Sequence, residues 1–349
     1  MEMKDQRFGI EIEMTGLTRE RAAQVTAEYF GTQAVGTTAL DSQRRQWRFV
    51  YDGSINTQRR EGGQKVAASD SYAVEMVSPI CVWEDIETVQ EIVRKLRSNN
   101  AFGNSSCGIH VHVDGSPFDA RTLRNLTNIM YCKEDLIYKA LKVDVAREHR
   151  YCRKTEQRFL DELNARKPQS LEDVSRIWYN GNDRSSYHYD DSRYRCLNLH
   201  SLFGKGTIEF RLFNSDIRHC GKIKAYIQLC MAITNQALNQ RSASIRKTQS
   251  ANEKYTFRTW LLRLGLIGDE FKTARTHLLE NLDGCIAWKD PAQAELQKER
   301  MRQRREAKQA QERRELEARE QAPEHETTQQ NTPEPEIAEE ELCDLSMSM

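Results

Sequence analysis

The 349-residue chain carries no net charge, because 52 Lys and Arg cancel 52 Asp and Glu. That balance argues against a generally basic nucleic-acid binder and against a strongly acidic solvating protein. No apolar run approaches the ~18 uninterrupted residues a membrane helix needs, so no membrane association is expected. The polar start, Met1 to Arg7, leads straight into a β-like run, and no signal peptide is expected. The nine cysteines are scattered without a C-x-x-C pair or the density of a disulfide framework, which predicts reduced thiols and a cytoplasmic location. No internal repeat is present.

The neutrality hides an asymmetry. From Pro291 onward there are 9 Lys and Arg against 15 Asp and Glu, so the preceding residues are net positive. By length alone roughly two domains or one large one is the prior. Residues 1–290 alternate apolar-periodic segments with Gly, Asn, Ser and Asp turns, as one globular domain does, and are long enough to bury roughly three quarters of the unfolded surface. Residues 291–320 are mostly Ala, Gln, Glu and Arg, with Glu295/Lys298, Glu299/Arg302 and Glu315/Arg319 at helical spacing, and predict a charged solvated helix. Leu296, Met301 and Leu316 keep no coiled-coil register. Residues 321–349, with 8 acidic and no basic residues, predict a disordered acidic tail.

Strands are expected at Arg7–Met14, Gln46–Tyr51, Tyr72–Ser78, Cys107–Asp114, Arg195–Ser201 and Thr207–Phe213. Helices are expected at Arg19–Tyr29, Ile86–Arg97, Asp119–Leu141, Thr155–Arg166, Ile217–Asn239, Phe257–Leu264 and Phe271–Leu282, with Asp119 and Ser170 as N-caps. The mixture lacks a strict βαβ rhythm, so an α+β domain around a largely antiparallel sheet is expected.

Four of these strands carry polar faces ill-suited to water. Period-2 alternation puts Glu11 and Glu13 on one face of Phe8–Met14, and Ile10, Ile12 and Met14 on the other. Ile109–Val113 repeats the pattern with His110 and His112, Ile208–Leu212 with Glu209 and Arg211, and Val74–Ser78 with Glu75 alone. A solvent-facing sheet is usually Thr, Lys, Ser and Gln. Carboxylates two residues apart repel unless a cation lies between them. A carboxylate-rich set with an imidazole suits hard divalent ions, Mg²⁺ or Mn²⁺. A zinc site of Cys107, His110 and His112 leaves four glutamates unexplained, and a Cys107 nucleophile lacks a legible base and oxyanion hole.

Gly9-Ile10-Glu11-Ile12-Glu13, Asp52-Gly53-Ser54, Val74–Pro79, Cys107–Asp114 and Thr207–Arg211, taken in this order, resemble the carboxylate–amine ligases related to glutamine synthetase and glutamate–cysteine ligase, and within them the amidoligase group. Glutamine synthetases place a small β-domain before the E-x-E strand; the ten residues before Glu11 predict a stand-alone catalytic domain instead. The resemblance implies a glutamine-synthetase-like fold, with the site on the concave face of a curved sheet and helices on its convex side. It implies that Glu11, Glu13, Glu75, His110 and Glu209 hold two or three Mg²⁺ ions, and that His112 and Arg211 face the phosphates of ATP. Arg193 and Asn198 are assigned to nucleotide or substrate carboxylate. Asp52 is read either as the residue that binds or deprotonates the amine or as a plain Asp-Gly turn.

The expected activity is an ATP- and Mg²⁺-dependent (or Mn²⁺-dependent) carboxylate–amine ligase working through an acyl phosphate, catalysed by Asp52 and Arg211. Its amine and acid remain open among amino acids, peptides and protein side chains, as does oligomer formation. The rivals are a metal-dependent hydrolase using the same cluster and a catalytically inactive interaction protein. Asn180–Arg195 reads as a lid or an ordinary surface loop. His149, His188, His200, His219 and His277 lack a partner pattern, although His200 shares a predicted strand face with Asn198. Ile223, Ile227, Cys230, Met231 and Thr234 read as a core helix face, and Gly204-Lys205-Gly206 as a hairpin turn rather than a phosphate loop.

Overall fold

Alternating apolar residues build the centre of the molecule: Ile10, Ile12 and Met14 of β1 (Phe8–Met14) are at most 1% exposed. The computed structural model describes residues 1–320 apart from His188; the tail expected at 321–349, and His188, lie outside the described residues. After β1 come α1 (Arg19–Phe30), β2 (Thr38–Leu40), β3 (Gln46–Val50), the hairpin β4 (Gln58–Glu61) and β5 (Gln64–Ala67), β6 (Val74–Val77), α2 (Asp85–Ser98) and β7 (Gly108–Asp114). Then follow α3 (Ala120–Leu141), α4 (Val145–Arg150), α5 (Gln157–Arg166), α6 (Leu171–Trp178), β8 (Leu197–Asn198), α7 (His200–Lys205), β9 (Thr207–Asn214), α8 (Cys220–Asn239), α9 (Glu253–Arg263) and α10 (Lys272–Leu279). The last described helix is α11 (Pro291–Glu320). Among the described residues, no helix is long and apolar enough to cross a membrane.

Seven strands form one sheet in the order β2-β3-β6-β1-β7-β9-β8, every neighbouring pair antiparallel. The apolar face packs on helices, with α8 at the centre against α2, α3, α10 and β7. The predicted stripe of α8, Ile223 to Thr234, is wholly buried, and Phe213 of β9 stacks on Tyr226 with ring centres 4.4 Å apart. Gln6 fastens the start of the chain to this helix, donating to the Met231 carbonyl (2.8 Å) and accepting from Thr234 (2.7 Å). Asp119 and Ser170 are the N-caps of α3 and α6, accepting from the Thr122 and Asp173 amides.

A compact unit runs from Met1 to Ala294, and a second unit begins at Glu295. In the second unit Glu295 pairs with Lys298 (2.7 Å) and Glu299 with Arg302 (2.9 Å), while Leu296, Met301 and Leu316 are exposed.

The structure corrects the sequence reading in one place near the site. The strand expected at Arg195–Ser201 is reduced to Leu197–Asn198, and His200 to Lys205 turn into a helix. Gly204-Lys205-Gly206 is therefore no hairpin turn but the end of α7, capped by Gly206 in the left-handed conformation (φ 77°) that glycine adopts without penalty. The unpredicted hairpin β4–β5 is exposed and polar, so its hydrophobic signal is absent, although its Gly62-Gly63 turn is a hairpin signature.

Candidate active site

The other face of the sheet assembles the charged residues by register alone. Glu13 lies opposite Glu75 across β1 and β6, and Glu11 opposite His110 across β1 and β7. His112 lies opposite Glu209 across β7 and β9, and Glu209 opposite Asn198 across β9 and β8. Between Ile109 and Val111 the register with β9 shifts, a bulge beside the cluster; bulges of this kind are frequent next to functional sites.

The resulting cluster is dense and largely buried. His110 Nδ1 is 3.1 Å from Glu11 and 3.6 Å from Glu209, and its Nε2 is 3.6 Å from Glu13. His112 Nε2 is 3.3 Å from Glu11 and 3.9 Å from Glu209. Arg211 donates to Glu209 Oε1, and Asn198 Nδ2 donates to the other oxygen (2.6 Å). Glu13, His110, Glu209 and Arg211 are each at most 6% exposed.

Burial disfavours an ionised carboxyl and neighbouring cations favour it. Burial on Glu209 is outweighed by Arg211, His112 and His110, which hold it down to about 2. Burial on Glu11 is likewise outweighed by His112 and His110, and its carboxyl is held well below its usual range. In turn Glu11 and Glu209 overcome the burial of His112 and raise it. At Glu75 the attraction of Arg211 is outweighed. Burial first, then Glu11, Glu13 and Asp52, push it up to about 9.

Three groups bring ligand atoms within 4.8 Å of one another: Glu11, His112 and Glu209; Glu11, Glu75 and His110; and Glu13, Asp52 and Glu75. His112 Nε2 is buried and, although 3.3 Å from Glu11, makes no hydrogen bond of good geometry among the described residues. A cation among these groups would engage His112 Nε2 and relieve the crowding of Glu75 by Glu11, Glu13 and Asp52. The donors, carboxylates with at most one imidazole per group, fit hard divalent ions. Cys107 belongs to none of these groups. Its buried thiol donates to Asn104 (3.4 Å), and burial pushes it up to about 11, which argues against a thiolate nucleophile.

The cluster floors a cleft of about 520 Å³. Of the predicted site residues, Glu11, Glu13, Asp52, Glu75, His110, Arg193, Glu209 and Arg211 line it. Asp52 sits in the turn that the second of its two readings expected, Oδ1 accepting from the Ser54 amide (2.7 Å), and its carboxylate lies within 4.8 Å of those of Glu13 and Glu75. His112 lies behind the cleft in the group with Glu11 and Glu209, its Nδ1 on Thr207 (2.9 Å). Asn198 is buried and orients Glu209. With His200 it lines an adjoining cavity of about 200 Å³. His200 does not share a strand with Asn198. It belongs to α7 and bonds Tyr179 (2.5 Å).

Three features of the cleft escaped sequence reasoning. Tyr51, Tyr151 and Tyr194 line it, and Arg211 and Arg193 lie over the Tyr194 ring at 5.9 and 5.7 Å. The segment after α6 contributes Tyr189, 79% exposed, with Arg193 also over its ring at 5.7 Å. Arg147, from the short α4, is buried beside Glu13 at 3.9 Å. Its signal was Gly108, since a glycine inside a strand marks a close approach. A Cβ there would lie 2.1 Å from Arg147 Nη2, and the Gly108 amide donates to Glu13 (2.6 Å). Gly108→Ala is therefore expected to destabilise the protein by roughly 1–3 kcal/mol, as overpacking does. A urea unfolding midpoint equal to wild type would contradict it.

The family described as "Putative amidoligase enzyme" matches residues 4–234, well over half of the chain and every element that carries the cluster. The chain belongs to the amidoligase family. No curated protein matches it. The match ends inside α8, so α9 and α10 extend the compact unit beyond the part the family covers.

Proposed function

We propose that this amidoligase is an ATP- and Mg²⁺-dependent (or Mn²⁺-dependent) carboxylate–amine ligase, with a glutamine-synthetase-like arrangement of sheet and site. One observation carries the reading: three overlapping carboxylate and imidazole groups, all of whose members but His112 line one cleft, lie with Arg211 and its tyrosine neighbour. Glu11, Glu13, Glu75, His110, His112 and Glu209 would hold divalent ions. Those ions, when bound, neutralise phosphate charge and align in-line attack. A carboxylate oxygen of the acid attacks the γ-phosphorus, and ADP leaves with the electrons of the broken P–O bond. An amine nitrogen then attacks the acyl carbon, the C–O bond to phosphate breaks, and the amine loses a proton. Arg211 supplies positive charge to the transferring phosphoryl group, and Glu209 and Tyr194 fix its plane. Asp52, at the mouth of the cleft, takes the amine proton. The tyrosines of the Asn180–Arg195 segment shield the acyl phosphate from water. The acid and amine are drawn from amino acids, peptides or protein side chains.

Thermal unfolding of the full chain with Mg²⁺, with ATP and with both tests this reading without knowledge of the substrates. A ligand at ~100 times its dissociation constant adds about 2.7 kcal/mol, which raises the midpoint by several degrees in a domain of this size. The expected result is a shift with Mg²⁺ and ATP together that far exceeds either alone. A shift with metal and no increment from ATP would transfer the assignment to a metal-dependent hydrolase.

A further inference from the structure

Arg147 does not belong to the candidate active site alone. Its side chain also walls a second cleft of about 460 Å³, whose other lining comes from β4, β5, the Phe102–Cys107 segment, the end of α3 and the start of α8. The charge of this second cleft is opposite in kind. Its carboxylates, Asp144 and Asp216, are already engaged: Asp144 caps α4 through the Ala146 and Arg147 amides, and Asp216 pairs with Arg218 (2.8 Å) and Lys222 (3.0 Å). Arg60, Lys65 and Lys142 line the same cleft and, among the described residues, pair with no carboxylate. Arg60 and Lys65 flank one aromatic ring, Phe102, at 5.4 and 4.5 Å, which brings two like charges to one place. Arg147, 2% exposed, faces Glu13 at 3.9 Å and donates long bonds to the Ser106 and Arg211 carbonyls (3.4 Å each), and among the described residues its Nε has no hydrogen-bond partner. Four cations thus line one cavity, three of them exposed and one, Arg147, buried with a donor unused.

We propose that this second cleft is an anion-binding site for a small molecule bearing a carboxylate or a phosphate, set against the candidate active site across the Arg147 guanidinium. Anionic oxygens there would take the unused donors of Arg147 and neutralise Arg60, Lys65 and Lys142 through charge-assisted hydrogen bonds. The inference does not depend on the nucleotide reading, because the lining is distinct from the metal-ligand cluster and requires neither ATP nor metal.

The test uses the metal-free full chain at constant ionic strength, titrated by calorimetry with inorganic phosphate and, separately, with glutarate. Saturable binding of at least one of them is expected; which of the two binds more tightly identifies the anion class. The double variant Arg60→Ser/Lys65→Ser alters exposed hairpin side chains, so its fold should persist, as circular dichroism would verify. Its affinity for the anion should fall about ten-fold or more, the effect of losing charge-assisted bonds. Arg211→Lys, in the other cleft, should bind the anion like wild type. Absence of binding to both anions overturns the proposal. So does affinity that survives in Arg60→Ser/Lys65→Ser but is lost in Arg211→Lys, which would place the anion in the catalytic cleft.

Discussion

Replacing Glu209 with Gln is expected to abolish Mg·ATP binding and to destabilise the metal-free protein by about 3 kcal/mol. Glu209 is 3% exposed and receives Arg211 and Asn198 on its two oxygens, with both imidazoles of the cluster within 4 Å. Its carboxyl is ionised at any ordinary pH, being held to about 2 against burial by Arg211 and the histidines. Removing that charge leaves Arg211, itself 6% exposed, without its nearest counter-ion, and breaking a buried pair from one side costs several kcal/mol. The figure sits at the low end because Glu13 and Glu11 still attract the guanidinium. Adding Arg211→Met to Glu209→Gln separates the two roles. The double variant should recover much of the stability in urea unfolding, since a buried ion pair is replaceable by apolar volume. It should recover none of the Mg·ATP binding in calorimetry. Wild-type affinity in Glu209→Gln would remove the cluster from the nucleotide site altogether.

The central sheet was legible in the sequence because its signal is local and periodic. Six to eight residues of alternation in Phe8–Met14, Cys107–Asp114 and Thr207–Phe213 identify both the strand and the face each side chain takes, and antiparallel pairing then brings Glu11, His110, Glu209 and their neighbours together. What failed was local structure decided by tertiary context. Leu197-Asn198 begins as a strand, but the chain must turn at Leu199, and the resulting α7 moves His200 away to Tyr179. Arg147 was invisible for a different reason. A six-residue helix rich in charge has no hydrophobic period, and its importance lies in a cavity that only the fold creates beside Gly108. The tyrosines around Arg211 and Arg193 likewise come from loops, whose positions no periodicity encodes.

Glu75 gives the cluster a pH dependence whose direction follows from its surroundings. Burial, then Glu11, Glu13 and Asp52, push its carboxyl up to about 9, whereas an unfolded glutamate titrates near 4.3. Between those values the metal-free folded state holds one more proton than the unfolded chain, so stability contributed by Glu75 is full at low pH and is lost as pH rises toward 9. The slope from this one group is at most about 1.4 kcal/mol per pH unit. Glu75→Gln mimics the protonated form permanently, so its stability should fall less than that of wild type between pH 5 and pH 9. Divalent ions act in the opposite sense. A carboxylate must shed its proton to bind metal, so Mn²⁺ binding at pH 7 should release close to one proton in wild type and distinctly less in Glu75→Gln. Calorimetry in buffers of different ionisation enthalpy measures that number directly. Wild-type affinity should also climb by up to ten-fold per pH unit until pH approaches 9. Parallel stability profiles for the two proteins, together with metal binding that releases no proton, would show that Glu75 is neither strained by its neighbours nor a ligand.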